Sequence, residues 1–126
     1  MIFYMLISTL LFLPINQPLF AQMNINYSVI DGDSLKRDKK RYRLHGIDAP
    51  ELKQLCWIDD QPRSCGEASR NYLMAMQGKE GMLCIKVDED RYRRDIVKCS
   101  VQTNDGIKDV GSIMVEEGYA LAYRQY

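Results

Sequence analysis

Two short runs, Asp31-Gly32-Asp33-Ser34 and Arg43-Leu44-His45-Gly46-Ile47-Asp48-Ala49-Pro50-Glu51, place several carboxylates and an arginine within one folding unit. Oxygen ligands for a hard cation, beside a guanidinium for a phosphate, are the kit for metal-assisted attack on a phosphodiester. Either run alone reads as turn chemistry, because Asp hydrogen-bonds its own backbone and Gly supplies positive φ. A third run, Asp90-Arg91-Tyr92-Arg93-Arg94-Asp95, changes that reading by adding further guanidinium groups. In such a site the cation acts as Lewis acid and template, and paired arginines stabilise the charge that gathers on the phosphoryl oxygens. A carboxylate such as Glu51 orients or deprotonates the attacking water.

The chain has 126 residues, with 17 Lys and Arg against 17 Asp and Glu. A net charge of zero excludes tight nonspecific binding to nucleic acid through global charge, so any affinity for phosphate must be local. Lys36, Arg37, Lys39, Lys40, Arg41 and Arg43 crowd one expected hairpin, and Arg91, Arg93 and Arg94 another. Most of these are expected on solvated strand faces and edges, where cations also guard against aggregation; Arg43 and Arg94 are the exceptions.

Residues 1–21 carry an apolar run broken by Pro14 and Pro18 before the small Ala21, and they read as a secretory signal. The expected product is an exported domain of residues 22–126, periplasmic or extracellular and free of the membrane after cleavage. All four cysteines lie in that part, and an even count in a small exported domain favours disulfides. Cys56 and Cys65 bracket a polar loop, while Cys84 and Cys99 lie on two β-patterned runs flanking a turn. The expected pairs are therefore Cys56–Cys65 and Cys84–Cys99. Zinc is the competitor, but the cysteine spacing is wide and the only histidine, His45, reads as structural or exposed.

The elements that must position the site follow from pattern. Residues 25–30 and 34–37 read as one strand interrupted at Asp31-Gly32, and residues 41–47 as the next, with Pro50 ending it. A polar loop leads to a helix over 66–77, whose apolar face carries Ala68, Tyr72, Leu73 and Met76 and which Gly78 closes. Residues 82–87 and 96–102 form a second hairpin, Asn104-Asp105-Gly106 a turn, and residues 110–117 a short helix ended by Gly118. This order implies a mainly β fold with α: a five-stranded barrel with two helices packed outside it.

These runs, with Gly118-Tyr119-Ala120-Leu121-Ala122-Tyr123, make residues 24–126 resemble the thermonuclease family, the staphylococcal-nuclease-like domains with an oligonucleotide-binding (OB) fold. The resemblance implies that Asp33, Asp48 and the carbonyl of Ala49 hold calcium. Glu51 would then stand beside the attacking water, Arg43 and Arg94 would grip the scissile phosphate, and Tyr92 and Tyr123 would line the nucleotide pocket. It further implies a monomer that cleaves DNA and RNA, with single strands preferred, and leaves 3′-phosphate ends.

Two departures stand out. The family carries glycine between the tyrosine and the arginine of its downstream motif, where this chain has Arg93. Either the loop differs in shape or the register slips and makes Arg93 the phosphate ligand; Arg94 is the expected one. The family also continues into a further C-terminal helix that is expected to be missing here. The alternatives to a nuclease are therefore a barrel that binds single strands without cutting, and a truncated, inactive remnant.

Overall fold

The computed structural model describes residues 24–124. The expected signal at 1–21 lies outside them. No helix among the described residues is long and apolar enough to cross a membrane.

The main sheet orders its strands β1 (Ser28–Asp31), β2 (Ser34–Arg37), β3 (Lys40–Leu44), β8 (Asp95–Thr103) and β7 (Leu83–Glu89), with β9 (Gly106–Asp109) also paired to β8. Neighbours are antiparallel except β3 and β8, which run parallel with Tyr42 opposite Asp95 and Arg43 opposite Ile96. Two smaller ladders join β4 (Ile47–Asp48) to β10 (Leu121–Ala122) and β5 (Cys56–Ile58) to β6 (Gln61–Arg63). Helices α1 (Cys65–Gln77) and α2 (Val110–Glu116) complete a mainly β fold with two helices. The observed sheets are open. Among the described residues the segments preceding β1 and β7 are linked by a single bridge, Ile25 with Met82, and not by a continuous ladder.

Several elements differ from the sequence-based expectation. Residues 25–30 and 34–37 do not form one interrupted strand: the chain reverses at Gly32 and Asp33, and β1 and β2 pair antiparallel, Val29 opposite Leu35. The Asp33 amide donates to Asp31 Oδ1 at 3.1 Å, a side-chain bond that stabilises the reversal. The strand expected at 41–47 is split, because Gly46 takes φ 78° and turns the chain before Ile47. The stretch between Cys56 and Cys65, expected as a loop, is a hairpin whose two turn residues, Asp59 and Asp60, both have positive φ (50° and 61°). That pair of angles suits a tight two-residue hairpin turn.

Both disulfides take the expected partners, Cys56–Cys65 with Cα atoms 5.7 Å apart and Cys84–Cys99 with 4.0 Å. The second links residues directly opposite in the β7–β8 ladder. The core between sheet and helices holds Leu35, Leu44, Leu73, Met82, Val110 and Met114, all essentially inaccessible. Each such side chain contributes about 1.5–3 kcal/mol of transfer free energy.

The face that α1 buries is shifted from the expected one. Gly66, Ser69, Leu73 and Gln77 are buried, while Ala68 is exposed and Tyr72 and Met76 are half-buried. Two polar residues can occupy this face because each is hydrogen-bonded. Gln77 Oε1 accepts from the Tyr27 amide and its Nε2 donates to the Tyr27 carbonyl, both at 2.8 Å, and Ser69 Oγ donates to the Tyr119 carbonyl at 2.8 Å.

Candidate active site

The centre of the site is a buried carboxylate on the β1–β2 reversal. Asp33 Oδ1 accepts from Ser34 Oγ at 3.0 Å, and Oδ2 accepts from the Ala49 amide at 2.8 Å while lying 3.1 Å from Arg43 Nη1. Arg43, opposite Ser34 on β3, reaches with Nη2 to the Ile47 carbonyl at 3.2 Å and stands 3.7 Å from Asp48 Oδ1. The turn at Gly46 makes this possible, because it folds β4 back beside β3 and brings Asp48 and Ala49 under the guanidinium. Four of the expected site residues, Asp33, Arg43, Asp48 and Ala49, therefore meet in one cluster. Tyr123 joins them from the far end of the chain: β10 pairs Leu121 with Asp48, the Tyr123 amide donates to the Gly46 carbonyl at 2.8 Å, and its ring lies 6.0 Å from Arg43 Cζ.

Asp31 stands beside Asp33, and its acid is pushed up to about 6, first by burial and then by the neighbouring Asp33 carboxylate. Two carboxylates poorly solvated at one spot favour a cation. The side chains implied as ligands are carboxylates, with Asp48 at the exposed rim (58 % side-chain exposure), and hard oxygen ligands of this kind suit calcium or magnesium. Among the described residues no group of three or more His, Cys, Asp or Glu side chains is placed to hold a metal ion. The implied set contains two such side chains, Asp33 and Asp48, with the Ala49 carbonyl.

Glu51 is exposed, on a turn in which the Gln54 amide donates to the Glu51 carbonyl at 2.8 Å and the Glu51 amide donates to Gln54 Oε1 at 3.2 Å. Its carboxylate makes no hydrogen bond or ion pair among the described residues. Its backbone is held by α1: the Gly66 amide donates to the Gln54 carbonyl at 3.2 Å, and Cys65 at the start of the helix is tied to Cys56. The same helix supports the β1–β2 turn, since a Cβ on Gly32 would lie 1.8 Å from Ser69 Oγ. Gln54, Gly66 and Ser69 were not singled out from sequence. The available signal was a serine set between apolar positions of the helix.

Arg94 and Tyr92 form a second group on the 90–94 turn. The Asp90 carboxylate accepts from the Tyr92 and Arg94 amides, both at 2.9 Å, and from Arg94 Nε at 2.6 Å. Although burial works against it, these bonds to Arg94 and Tyr92 hold the Asp90 carboxyl below its ordinary range. Arg93 takes φ 65°, the left-handed conformation that suits glycine, so the turn keeps that backbone form with an arginine in place. Tyr92 is 67 % exposed, with the guanidinium carbons of Arg91 and Arg94 at 5.0 and 5.9 Å from its ring centre. The parallel β3–β8 pairing, with Tyr42 opposite Asp95, places the 90–94 turn next to β3. His45 and Trp57 are both exposed.

Residues 41–126 match the family model described as staphylococcal nuclease homologue. The chain is 35 % identical over 97 residues to the "Succinoglycan biosynthesis protein ExoI" of Rhizobium meliloti (strain 1021), covering 75 % of this chain and 49 % of that protein. It is 31 % identical over 107 residues to the "Micrococcal nuclease" of Shigella flexneri, covering 78 % and 56 % respectively. The chain thus spans about half the length of the curated relatives it matches. With the family model covering well over half of its residues, this chain belongs to the family of staphylococcal nuclease homologues.

Proposed function

We propose that the protein is an exported, calcium-dependent nuclease that hydrolyses phosphodiester bonds of DNA and RNA, prefers single strands, acts as a monomer and leaves 3′-phosphate ends. The observation that carries this reading is the buried Asp33 carboxylate, bonded at once to the Arg43 guanidinium and to the backbone of the Asp48–Ala49 segment. Such a junction sets a phosphate-binding cation and an oxygen ligand set side by side with little freedom, and positioning of this kind is a large part of phosphoryl-transfer catalysis.

Asp33, Asp48 and the Ala49 carbonyl would hold calcium, which when bound supplies polarisation of a phosphate oxygen. Arg43 offers a planar fork to the phosphate and gains interaction as charge develops on the equatorial oxygens; Arg94 does the same from the opposite turn. Glu51, exposed on its braced turn, orients the water and takes its proton. Tyr92 and Tyr123 flank the nucleotide. The domain proper would be residues 22–126 after removal of a signal at 1–21, and the reading of it as a five-stranded OB barrel is supported by the Ile25–Met82 bridge between the segments preceding β1 and β7. Two disulfides in so small a domain support an oxidising destination, periplasmic or extracellular.

The test is incubation of the oxidised chain from Gln22 with denatured DNA, in calcium or in chelator, beside Arg43→Ala and with analysis of product ends. Calcium-dependent cutting that leaves 3′-phosphates and is lost in the variant supports the reading. A chain that unfolds cooperatively yet never cuts overturns it.

A further inference from the structure

The chain is neutral overall, yet one groove concentrates cations. It has a volume of about 620 Å³ and runs between the β2–β3 hairpin, which contributes Arg37, Lys39 and Arg41, and the 90–94 turn, which contributes Tyr92, Arg93 and Arg94. Some of the local charge is neutralised: Lys40 Nζ lies 2.9 Å from Asp95, and Arg94 is paired with Asp90. Arg37, Lys39, Arg41 and Arg93 are exposed and make no salt bridge among the described residues, and Asp38 is the one acidic residue of the lining. Cations gathered along a groove repel one another, and they attract a polyanion.

Arg93 is the most informative of the four. Its φ of 65° is one a glycine holds without strain, and the turn is fixed in that form by Asp90, whose carbonyl accepts from the Arg93 amide at 3.0 Å. A side chain in this region is disfavoured, and what it brings here is a guanidinium on the groove wall; strain of this sort is retained where the surroundings over-determine it and a site uses it.

The groove and the candidate active site share the β2–β3 hairpin. Ser34 pairs with Arg43 at the site end of the hairpin and Arg37 with Lys40 at the tip, so at roughly 3.3 Å per residue the tip lies about 10 Å farther on. Tyr42, which also lines the groove, is opposite Asp95 on β8, and that register brings the 90–94 turn level with the hairpin. Exposed Tyr92 supplies a face on which an unpaired base stacks, which a duplex does not offer.

We propose that Arg37, Lys39, Arg41 and Arg93 form a second phosphate-binding stretch, which carries the backbone of single-stranded nucleic acid beyond the cleavage site. This deepens the nuclease reading and rests on it for the direction of the strand.

The experiment is fluorescence anisotropy in chelator, with labelled oligothymidylates of about 4 and about 12 nucleotides over a salt series. It compares the full chain with Arg37→Gln/Lys39→Gln/Arg41→Gln and with Arg93→Gly. The unaltered protein gains about tenfold in affinity with the longer strand. The triple variant abolishes that gain and lowers the slope of log affinity against log salt by about 2, at about 0.7 per single-strand phosphate contact. Arg93→Gly lowers the slope by about 0.7 while its melting temperature holds or rises, a combination that a purely structural arginine does not produce. Unchanged length gain and slope in both variants overturn the proposal, as does equally tight binding of inorganic polyphosphate or duplex. Cutting in calcium, measured separately, reports on the nuclease reading: length-dependent binding without cutting supports the stretch and overturns that reading, whereas cutting without a length gain does the reverse.

Discussion

A Cβ on Gly66 would lie 1.7 Å from the carbonyl oxygen of Glu51, so the first turn of α1 is in direct backbone contact with the turn that carries the candidate water-activating carboxylate. Neither backbone can give way easily. The Glu51 turn is closed by Gln54, and the helix start is tied to Cys56. Gly66→Ala is expected to displace Glu51, and misplacement of a catalytic group by about 1 Å costs about 100-fold in rate. Overpacking at this contact lowers stability by about 1–3 kcal/mol. Parallel measurements of cleavage rate and thermal unfolding check both.

Arg43 is expected to matter to the fold as well as to the chemistry. Removing it leaves Asp33 buried and without its guanidinium, a loss worth about 3 kcal/mol for a pair of this burial. The turnover loss should be of similar size, at about 100- to 1,000-fold for one stabilising donor. In a double-mutant cycle of Arg43→Ala with Asp33→Asn, followed by denaturant unfolding, a coupling energy near zero contradicts the junction described above.

The two disulfides are expected to separate by effect. Cys56–Cys65 closes a short loop, for which the chain-entropy contribution is about 2–3 kcal/mol, but it also anchors the Glu51 turn. Cys56→Ser/Cys65→Ser therefore lowers both melting temperature and kcat. Cys84→Ser/Cys99→Ser loosens the β7–β8 ladder away from the Asp33 cluster and lowers melting temperature with kcat retained at temperatures where the chain is folded. Equal effects on kcat contradict the bracing role of the first bridge.

Acid stability is expected to depend on Asp95. Its carboxyl is held below the ordinary range, first by the hydrogen bond from Lys40, against the opposing effect of burial, and further by Lys86 at 3.2 Å. Because the folded state binds this proton more weakly than the unfolded chain, the pair stabilises the fold above the unfolded carboxylate pKa. That contribution is lost as pH falls through the lower, folded value. Asp95→Asn should therefore flatten the decline in stability below about pH 4 while lowering stability at neutral pH, as read by chemical denaturation at several pH values.

The parts of the molecule that were legible in sequence are those with long patterns or unambiguous side-chain chemistry. Helix α1, the β7–β8 hairpin and both cysteine pairs fall within a residue or two of expectation, because periodicity and cross-linking chemistry act locally. The reversal at Gly32 was hidden because β-patterned residues continue on both sides of it, and a straight strand and a hairpin share that alternation. Strands β4 and β10, two residues each, are too short to carry a period; long-range pairing decides them. For the candidate site, residue types and the family resemblance pointed to Asp33, Arg43, Asp48 and Ala49, which the fold brings together, but not to the braces behind them. Gln54, Gly66 and Ser69 act through backbone contacts and close approach, which no side-chain motif announces.

The pairing of β10 with β4 joins residues more than seventy positions apart, Leu121 with Asp48, and β3 reaches β8 across about fifty. Contacts of such long range make the fold one of high contact order, slow to form because distant segments must meet before their association is rewarded. The segment bearing Asp33, Arg43 and Asp48 is synthesised more than seventy residues before the strand that pairs with it. The carboxylates and the arginine are therefore held apart from a finished cluster until β10 has been made, and the early part of the chain carries its polar residues unassembled through that interval.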